Sequence, residues 1–255
     1  ETESKFGKKI LLNVKLSNYS WFNLGGPSEI FFKPDSVKDI IFFLKETQPN
    51  KINILGAGSN TLIRDGGVKG ITIKLSSKFS YLDFFSPNII EVGAATLDRK
   101  VADFALEHSL TGLEFLACIP GSIGGAIRMN SGCYGQDISQ ILHSIKAIDI
   151  FGNEKNISAS DIKFHYRDCS LNNNLIITSV RLQGRLSSKE DVEKKQQALL
   201  EQKKVAQPNQ IKTCGSTFKN TKNKKAWELI KESNCQDLQV GSAKISNKHC
   251  NFFVN

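Results

Sequence analysis

Apolar and polar residues along the chain follow two periods, and the switches between them predict its elements. Apolar residues three and four positions apart predict amphipathic helices at 36–47, 97–108, 187–206 and 226–233. Short apolar or alternating runs predict strands at 20–24, 29–33, 52–55, 70–75, 89–93, 145–150 and 175–182. Strand-rich and mixed segments follow one another without an internal repeat, which predicts an α+β protein of two or three lobes.

Two glycine-rich segments interrupt this pattern. Residues 119–135 contain five glycines, and residues 56–60 read Gly-Ala-Gly-Ser-Asn directly after an apolar strand. Turns of this composition can present backbone N–H groups to an anion such as a pyrophosphate. The dinucleotide fingerprint is incomplete, because Thr61 stands where its third glycine would be. A tight connector between packed elements is the alternative interpretation of either segment.

Composition and charge narrow the classes of function. The chain has 255 residues, 40% of them hydrophobic, and a net charge of +9. No apolar run approaches the roughly 20 residues of a membrane helix. Positive charge is concentrated in residues 189–225, yet no aromatic residue lies between Arg185 and Thr217 to stack on bases. We therefore expect neither a membrane nor a nucleic acid as partner.

The cysteines predict neither a metal site nor a disulfide framework. They stand at 118, 133, 169, 214, 235 and 250, and no two have the spacing of a zinc-binding pair. No charged-then-apolar signal peptide opens the chain, so we expect a cytoplasmic protein with reduced thiols. Only four histidines could activate a thiol, so we interpret the cysteines as small buried side chains.

Eight short segments occur in the order seen in UDP-N-acetylenolpyruvoylglucosamine reductases, and the chain resembles that family over nearly its whole length. They are 20–26 (SWFNLGG), 56–60 (GAGSN), 112–116 (GLEFL), 120–135, 166–167 (YR), 207–208 (QP), 215–220 (GSTFKN) and 248–255 (KHCNFFVN). Each segment alone is a weak signal, but eight in order are specific. The short interval between Arg167 and Ser216 is similar to the family type that lacks an inserted tyrosine loop over the substrate.

The resemblance implies an α+β architecture with an FAD-binding fold of the vanillyl-alcohol-oxidase type. Its two FAD-binding lobes would be residues 1–75 and 76–205, and a smaller, incomplete substrate lobe would be residues 206–255. The implied cofactor-binding residues are Gly56, Ala57, Gly58, Ser59, Asn60, Pro120, Gly121, Ser122, Gly124, Gly125, Ala126, Asn130, Gly132, Tyr134 and Gly135. We expect a bulky residue at Gly124 or Gly125 to release the flavin.

The resemblance also implies a reaction and its partners. NADPH would reduce FAD, and hydride would then pass to the enolpyruvyl double bond of UDP-N-acetylglucosamine enolpyruvate, giving UDP-N-acetylmuramate for peptidoglycan. Arg167 matches the family arginine that stabilises charge on the substrate carboxylate, and a guanidinium suits a carboxylate by its geometry. Ser216 matches the serine that donates the final proton. Tyr166, Lys204 and Asn220 match substrate-binding positions, and we expect a monomer.

The match departs from the family at three places. Residues 212–216 read Lys-Thr-Cys-Gly-Ser where the family usually has Pro-Ser-Ala-Gly-Ser, and Thr221 replaces a usual proline. The family's third catalytic residue, a glutamate, is expected beyond residue 255, and Glu228 and Glu232 do not match it. We therefore expect the 255-residue form to bind FAD but to be catalytically impaired.

Two other functions stay open at this point. Another flavoenzyme of the same fold, such as a sugar or alcohol oxidase, would lack the pairing of 166–167 with 216–220, and such enzymes often link FAD to a histidine or cysteine. A basic nucleic-acid-binding protein would be colourless and would bind DNA with a steep salt dependence.

Overall fold

The computed structural model describes residues 6–208 and 211–255. The helices lying wholly within these ranges are α1 (Val37–Thr47), α2 (Asp98–Glu107), α3 (Ile123–Arg128), α4 (Lys189–Ala206) and α5 (Ala226–Glu232). The strands are β1 (Ile10–Lys15), β2 (Pro27–Phe32), β3 (Ile52–Ile54), β4 (Val68–Ile73), β5 (Leu82–Ser86), β6 (Ile89–Gly93), β7 (Leu110–Thr111), β8 (Gly132–Cys133), β9 (Gln136–Asp137), β10 (Leu142–Ile148), β11 (Glu154–Ser158), β12 (Phe164–His165), β13 (Asp168–Cys169), β14 (Ile176–Gln183), β15 (Arg185–Leu186), β16 (Gln239–Val240), β17 (Ala243–Ile245) and β18 (Phe253–Val254). Within the described residues, no helix has the length and apolar character needed to cross a bilayer.

The first sheet has the strand order β1-β2-β4-β3. β2 is antiparallel to β1 and parallel to β4, and β4 is also parallel to β3. α1 packs against this sheet, where the buried ring of Phe43 stacks on Phe32 with centroids 4.0 Å apart. Ile148 and Ile176 of the second sheet complete the same cluster. The two sheets therefore share part of one core, and the division at residue 75 stays a prediction.

The second sheet is antiparallel throughout, with the order β11-β10-β14-β6-β5. Its apolar face joins the inward faces of α2 and α3 in the largest core cluster, where Val101 and Ile123 are fully buried. A 3-10 helix, Glu114–Cys118, lies against both α2 and α4. This packing sets the end of α4 beside the second glycine-rich segment.

The C-terminal part is small. It consists of α5 and a three-stranded sheet of order β16-β17-β18. Ala226, Ile245 and Phe252 are its buried apolar residues, together with Cys250. Its limited core makes its placement depend on contacts with the rest of the chain.

Most predicted elements are confirmed to within a few residues. α1 begins after Ser36, whose hydroxyl accepts a 3.1 Å hydrogen bond from the Asp39 N–H while the Asp39 carboxylate accepts one from the Ser36 N–H. Such a capping box lets a helix start be read from sequence. The helices predicted at 97–108, 187–206 and 226–233 are α2, α4 and α5.

Two local predictions were wrong. No strand forms at 20–24, because Asn23 has a positive φ of 59° and the Trp21 N–H donates to the carbonyl of Gly58 in another loop. The second glycine-rich segment contains α3, which we did not predict. The buried residues of α3 are Ile123, Ala126 and Ile127, which have helical spacing. The helix is only six residues long, so this spacing is not repeated.

Candidate active site

The first glycine-rich turn follows β3 at the end of the first sheet. Gly58 has a φ of +71°, and a Cβ there would lie 2.0 Å from the carbonyl oxygen of Tyr19. Only glycine tolerates this conformation so close to another backbone segment. The loop that begins at Tyr19 therefore fixes the shape of the turn.

The second glycine-rich segment lies against the first. The buried hydroxyl of Ser59 donates a 2.7 Å hydrogen bond to the carbonyl of Pro120. A Cβ on Gly56 would lie 2.9 Å from Oγ of Ser122. Gly56 and Asn60 remain exposed. Two segments about 60 residues apart in sequence thus form one backbone surface.

The two glycines of α3 have different surroundings. The N–H groups of Ile123 and Gly124 donate to the carbonyls of Thr96 and Ala94, at 2.9 and 3.0 Å. A Cβ on Gly124 would lie 3.1 Å from the Ala94 side chain, whereas a Cβ on Gly125 would meet only one atom within 4 Å, at 3.8 Å. Gly124 therefore serves the packing of α3, and Gly125 keeps the surface open.

The remaining predicted cofactor residues lie around this surface and differ in their exposure to solvent. Ala126, Ser122 and Gly132 are buried, Ala57, Gly121 and Tyr134 are half-buried, and Pro120 and Gly135 are exposed. Asn130 is buried and shapes the loop: its amide nitrogen donates to Asp137 Oδ2 at 3.3 Å and to the His165 carbonyl at 3.2 Å. Asn130 Oδ1 accepts a 3.1 Å hydrogen bond from the Ser139 N–H. Both ends of the Asn130 side-chain amide therefore form hydrogen bonds within the protein.

Tyr166 and Arg167 form the two-residue turn between β12 and β13. Arg167 has a φ of +58°, an uncommon value for a residue with a side chain. Its guanidinium donates to the carbonyl of Gly132 at 2.6 Å and to that of Asn130 at 3.5 Å. These bonds hold a cation at the edge of the second glycine-rich segment.

Tyr166 connects this turn to the C-terminal part. Its hydroxyl accepts a 3.5 Å hydrogen bond from the N–H of Asn220. The side chain of Asn220 accepts another, at 2.9 Å, from the N–H of Ala226 at the start of α5. Two of the residues predicted to bind substrate are therefore in contact, although they are 54 positions apart.

Ser216 lies exposed on the strand-like segment leading to Asn220. Its backbone pairs with Phe252 in an isolated antiparallel bridge. Buried Asn251, which sequence reasoning missed, holds the following residues: its Oδ1 accepts from the Phe218 N–H at 3.0 Å, and its Nδ2 donates to the Phe218 carbonyl at 2.9 Å. Its place in the 248–255 segment was the available signal.

Lys204 is not joined to the other predicted residues by any contact in the described part of the chain. Its ammonium lies 3.6 Å from Glu201 in an exposed ion pair. The preceding residue, Lys203, exerts its positive charge on the thiols of Cys118 and Cys133 instead. A substrate role for Lys204 stays a prediction.

Comparison with known proteins identifies the family. A family model described as "FAD binding domain" matches residues 28–158, and one described as "UDP-N-acetylenolpyruvoylglucosamine reductase, C-terminal domain" matches residues 207–255. The UDP-N-acetylenolpyruvoylglucosamine reductase of Pelagibacter ubique is 45% identical over 256 residues, which cover 99% of this chain and 85% of the relative. The chain belongs to the UDP-N-acetylenolpyruvoylglucosamine reductase family.

Further members of the reductase family agree. The protein of that name from Orientia tsutsugamushi (strain Ikeda) is 46% identical over 247 residues, covering 95% of this chain and 82% of the relative. A crystal structure of the Thermus caldophilus reductase has a TM-score of 0.86 and 31% identity, covering 95% of this chain and 87% of the other. The predicted family, FAD cofactor and α+β FAD-binding fold are confirmed. The roles of individual residues stay predictions.

The glycine-rich surface fits the FAD of a reductase of this family. It consists of backbone and small side chains, and Gly125 leaves space where a side chain would stand. Lys74, which sequence reasoning missed, supplies a cation beneath it: its ammonium donates to the carbonyl of Gly56. Burial, and secondarily the charge of Lys33, lowers the pKa of Lys74. A diphosphate would find both an open backbone and a positive charge here.

Asp98 is a second residue that sequence reasoning missed. It is fully buried at the start of α2, and neither carboxyl oxygen has a partner within the described structure. A Cβ on Gly121 would lie 2.9 Å from its Oδ2. Burial raises the pKa of Asp98 well above its usual range. Burial therefore favours the neutral form of this carboxyl group, which lies behind the cofactor segment of this reductase.

Replacing Asp98 with asparagine is expected to stabilise the fold at neutral pH. A raised folded-state pKa favours folding below the unfolded value of about 3.9, and that contribution is lost as pH rises toward the folded pKa. A tenfold difference in acid dissociation constant between the folded and unfolded states corresponds to about 1.4 kcal/mol. Urea unfolding should show the stability of Asp98→Asn relative to the parent rising as the pH rises above about 4. Exposed Asp161→Asn should show no such gain, and a difference independent of pH would contradict this assignment.

Proposed function

We propose that this chain is an FAD-dependent reductase that uses NADPH to reduce the enolpyruvyl group of UDP-N-acetylglucosamine enolpyruvate to UDP-N-acetylmuramate. The observation that carries the proposal is the position of Arg167. Its guanidinium is bonded to Gly132 of the glycine-rich surface, and its neighbour Tyr166 contacts Asn220 of the segment that carries Ser216. One two-residue turn thus stands between the cofactor surface and the candidate proton donor.

Bound FAD would supply the hydride-transfer chemistry that links NADPH to the substrate double bond. The chain's part is to hold that cofactor on the surface made by residues 56–60 and 120–135. The hydrogen bond from Ser59 to Pro120 holds the two segments together, and Gly125 has no side chain that would block access to the surface. Exposed Asn60 and the N–H groups of the first turn are the donors that we assign to the cofactor.

Arg167 is the group that we assign to the substrate carboxylate. A guanidinium has five N–H donors, and two of its nitrogens bond here to backbone carbonyls. Within the described residues the remaining donors have no hydrogen-bond partner. We assign them to the carboxylate, on which negative charge grows as hydride adds to the neighbouring double bond. Because Arg167 is already held in place, it stabilises that charge without reorganising.

Ser216 is the group that we assign to the final proton transfer. Its hydroxyl is exposed on a segment that Asn251 and Phe252 hold at three backbone positions. A serine hydroxyl is a weak acid, so it needs a fixed position close to the carbon that it protonates. Tyr166 and Asn220, which are in contact, would close the substrate site beside it.

The proposal also includes the location, the oligomeric state and the domain boundaries of the enzyme. The six cysteines are free thiols, which favours a reducing cytoplasm as its location. We further propose that it acts as a monomer, without nucleic acid or membrane as partner. The domain boundaries near residues 75 and 205 are likewise part of the proposal.

The proposal is tested by following the flavin without oxygen. NADPH should bleach the absorbance of the bound FAD, and UDP-N-acetylglucosamine enolpyruvate should restore it while forming UDP-N-acetylmuramate. Bleaching that only molecular oxygen reverses would indicate another flavoenzyme of this fold. A colourless protein that does not take up FAD would contradict the proposal entirely.

A further inference from the structure

Asn130 lies at the bend where the second glycine-rich segment leaves α3. Its N–H donates to the carbonyl of Ile127 at 3.1 Å, and its φ of +38° lies in the left-handed region. Glycine adopts this conformation most readily, and asparagine is one of the few residues with a side chain that also tolerates it. A buried asparagine at this bend, where a glycine would turn as easily, indicates that its side chain is used.

The Asn130 amide connects this bend to the hairpin that carries Arg167. Its Nδ2 donates at 3.2 Å to the carbonyl of His165, the last residue of β12. The two residues that follow, Tyr166 and Arg167, form the turn. A second bond of Nδ2, to Asp137 Oδ2 at 3.3 Å, fixes the amide from the side of β9. The amide therefore holds the base of the turn against the glycine-rich segment.

The Asn130 backbone contacts the other end of the same turn. One nitrogen of the Arg167 guanidinium donates to the Asn130 carbonyl at 3.5 Å, and another donates to the Gly132 carbonyl at 2.6 Å. Asn130 thus contacts the turn before Tyr166 through its side chain and after Tyr166 through its main chain. The hairpin itself has only two paired positions. The position of the guanidinium therefore depends on these contacts from outside the hairpin.

The Asn130 amide has no N–H hydrogen left for a ligand. A side-chain amide has two such hydrogens and one oxygen. Nδ2 has the two partners given above, and Oδ1 accepts a 3.1 Å hydrogen bond from the Ser139 N–H. Donation from this amide to FAD would cost one of the existing bonds. The geometry therefore favours a role of the side chain toward the hairpin.

We propose that Asn130 is a positioning residue for Arg167: its amide fixes the turn, so that the guanidinium meets the substrate carboxylate without rearrangement. The inference rests on the proposed assignment of Arg167 to that carboxylate. A preorganised donor stabilises developing charge without a cost of reorganisation. Once the amide is removed, the guanidinium keeps its two backbone partners but loses the bond that fixes the base of its turn. Arg167 then stays within reach of the carboxylate and is no longer held in one place.

Asn130→Gly tests this role, because it removes the amide and leaves a residue that adopts a positive φ. Reoxidation of the reduced flavin by UDP-N-acetylglucosamine enolpyruvate should slow by roughly 10- to 100-fold, the usual effect of a misplaced positioning group. Reduction of the flavin by NADPH should keep the parent rate. Asn234→Gly is the matched control: Asn234 is an exposed asparagine of the C-terminal part with a φ of +52°, and its variant should reoxidise like the parent.

Two further variants separate positioning from a general loss of structure. Asn130→Asp keeps the shape of the side chain but turns an oxygen toward the His165 carbonyl and the Asp137 carboxylate, so it should be at least as slow. In an Arg167→Ala background, Asn130→Gly should slow reoxidation no further, because its effect passes through the missing guanidinium. An equal slowing in both backgrounds would overturn the proposal, and so would reoxidation of Asn130→Gly at the parent rate.

A chemical measurement keeps the inference testable if the proposed function fails, that is, if the substrate does not reoxidise the parent protein. Phenylglyoxal modifies arginine side chains, and mass spectrometry of peptides follows the partly exposed Arg167 separately from other arginines. With the turn released, Arg167 of Asn130→Gly should react several-fold faster than Arg167 of the parent or of Asn234→Gly. An unchanged rate of modification would refute the role of Asn130, whether or not the protein reduces its substrate.

Discussion

Replacing Ser216 with alanine is expected to slow turnover by roughly 10²–10⁴-fold, the usual contribution of a positioned proton donor. Arg167 would still stabilise the charge on the substrate. The carbon that bears the carboxylate must take up a proton after hydride has added to its neighbour, and without Ser216 it would have no donor beside it. The defect should therefore appear in the step in which substrate restores the flavin absorbance. Reduction of the flavin by NADPH should proceed at the rate of the parent protein, because Ser216 has no part in it.

The two half-reactions separate this role from a loss of structure. Ser242, exposed in the turn between β16 and β17, offers a matched change in the same lobe, and Ser242→Ala should reoxidise normally. The Ser216 backbone bridge to Phe252 does not use the hydroxyl, so the variant should keep its fold. Reoxidation of Ser216→Ala at the parent rate would remove Ser216 from the mechanism.

Local signals explain why much of the fold could be predicted. α1 is specified by its own residues: Ser36 caps it and Asp39 completes the box. α4 has the same kind of start, with Ser188 accepting from the Asp191 N–H. The alternating strand β14 likewise has its apolar residues at positions that the sheet buries. In these places the sequence and the tertiary structure favour the same conformation.

The failures occur where distant contacts decide the conformation. Residues 20–24 have a strand-like composition, but the backbone there is fixed by Gly58, more than 30 positions away. α3 is too short, and too rich in glycine, for its period to stand out. Its position comes from the carbonyls of Ala94 and Thr96 at the end of β6. No pattern local to either segment contains this information.

In the candidate site, too, some residues could be predicted from the sequence and others depend on contacts that are distant in sequence. The glycine-rich segments, Arg167 and Ser216 could be found because the family resemblance marks them. Asn251 and Lys74 act through hydrogen bonds to Phe218 and Gly56, which are distant in sequence, and their types are unremarkable in sequence. The distinction between Gly124, which packs on Ala94, and Gly125, which faces open space, depends on tertiary packing that no local sequence pattern shows.

That distinction makes Gly125→Leu the cleaner test of the cofactor surface. A side chain at Gly125 would enter the space above the turn, while one at Gly124 would press on Ala94 and disturb the fold as well. Overlap with a bound group costs about 1–3 kcal/mol, so the dissociation constant for FAD should rise roughly 5- to 150-fold. Flavin content on purification and fluorescence titration with FAD measure this directly.

Gly66 provides the control for this experiment. It lies in an exposed turn with an ordinary φ, and no atom lies within 4 Å of the position that a Cβ would take, so Gly66→Leu adds the same bulk without an obstacle. It should retain FAD and unfold at the same urea concentration as Gly125→Leu. If Gly125→Leu instead purified with its full flavin content, the second glycine-rich segment would be a connector, and FAD would lie elsewhere. Loss of flavin from both variants would point to general destabilisation, which the unfolding measurement would reveal.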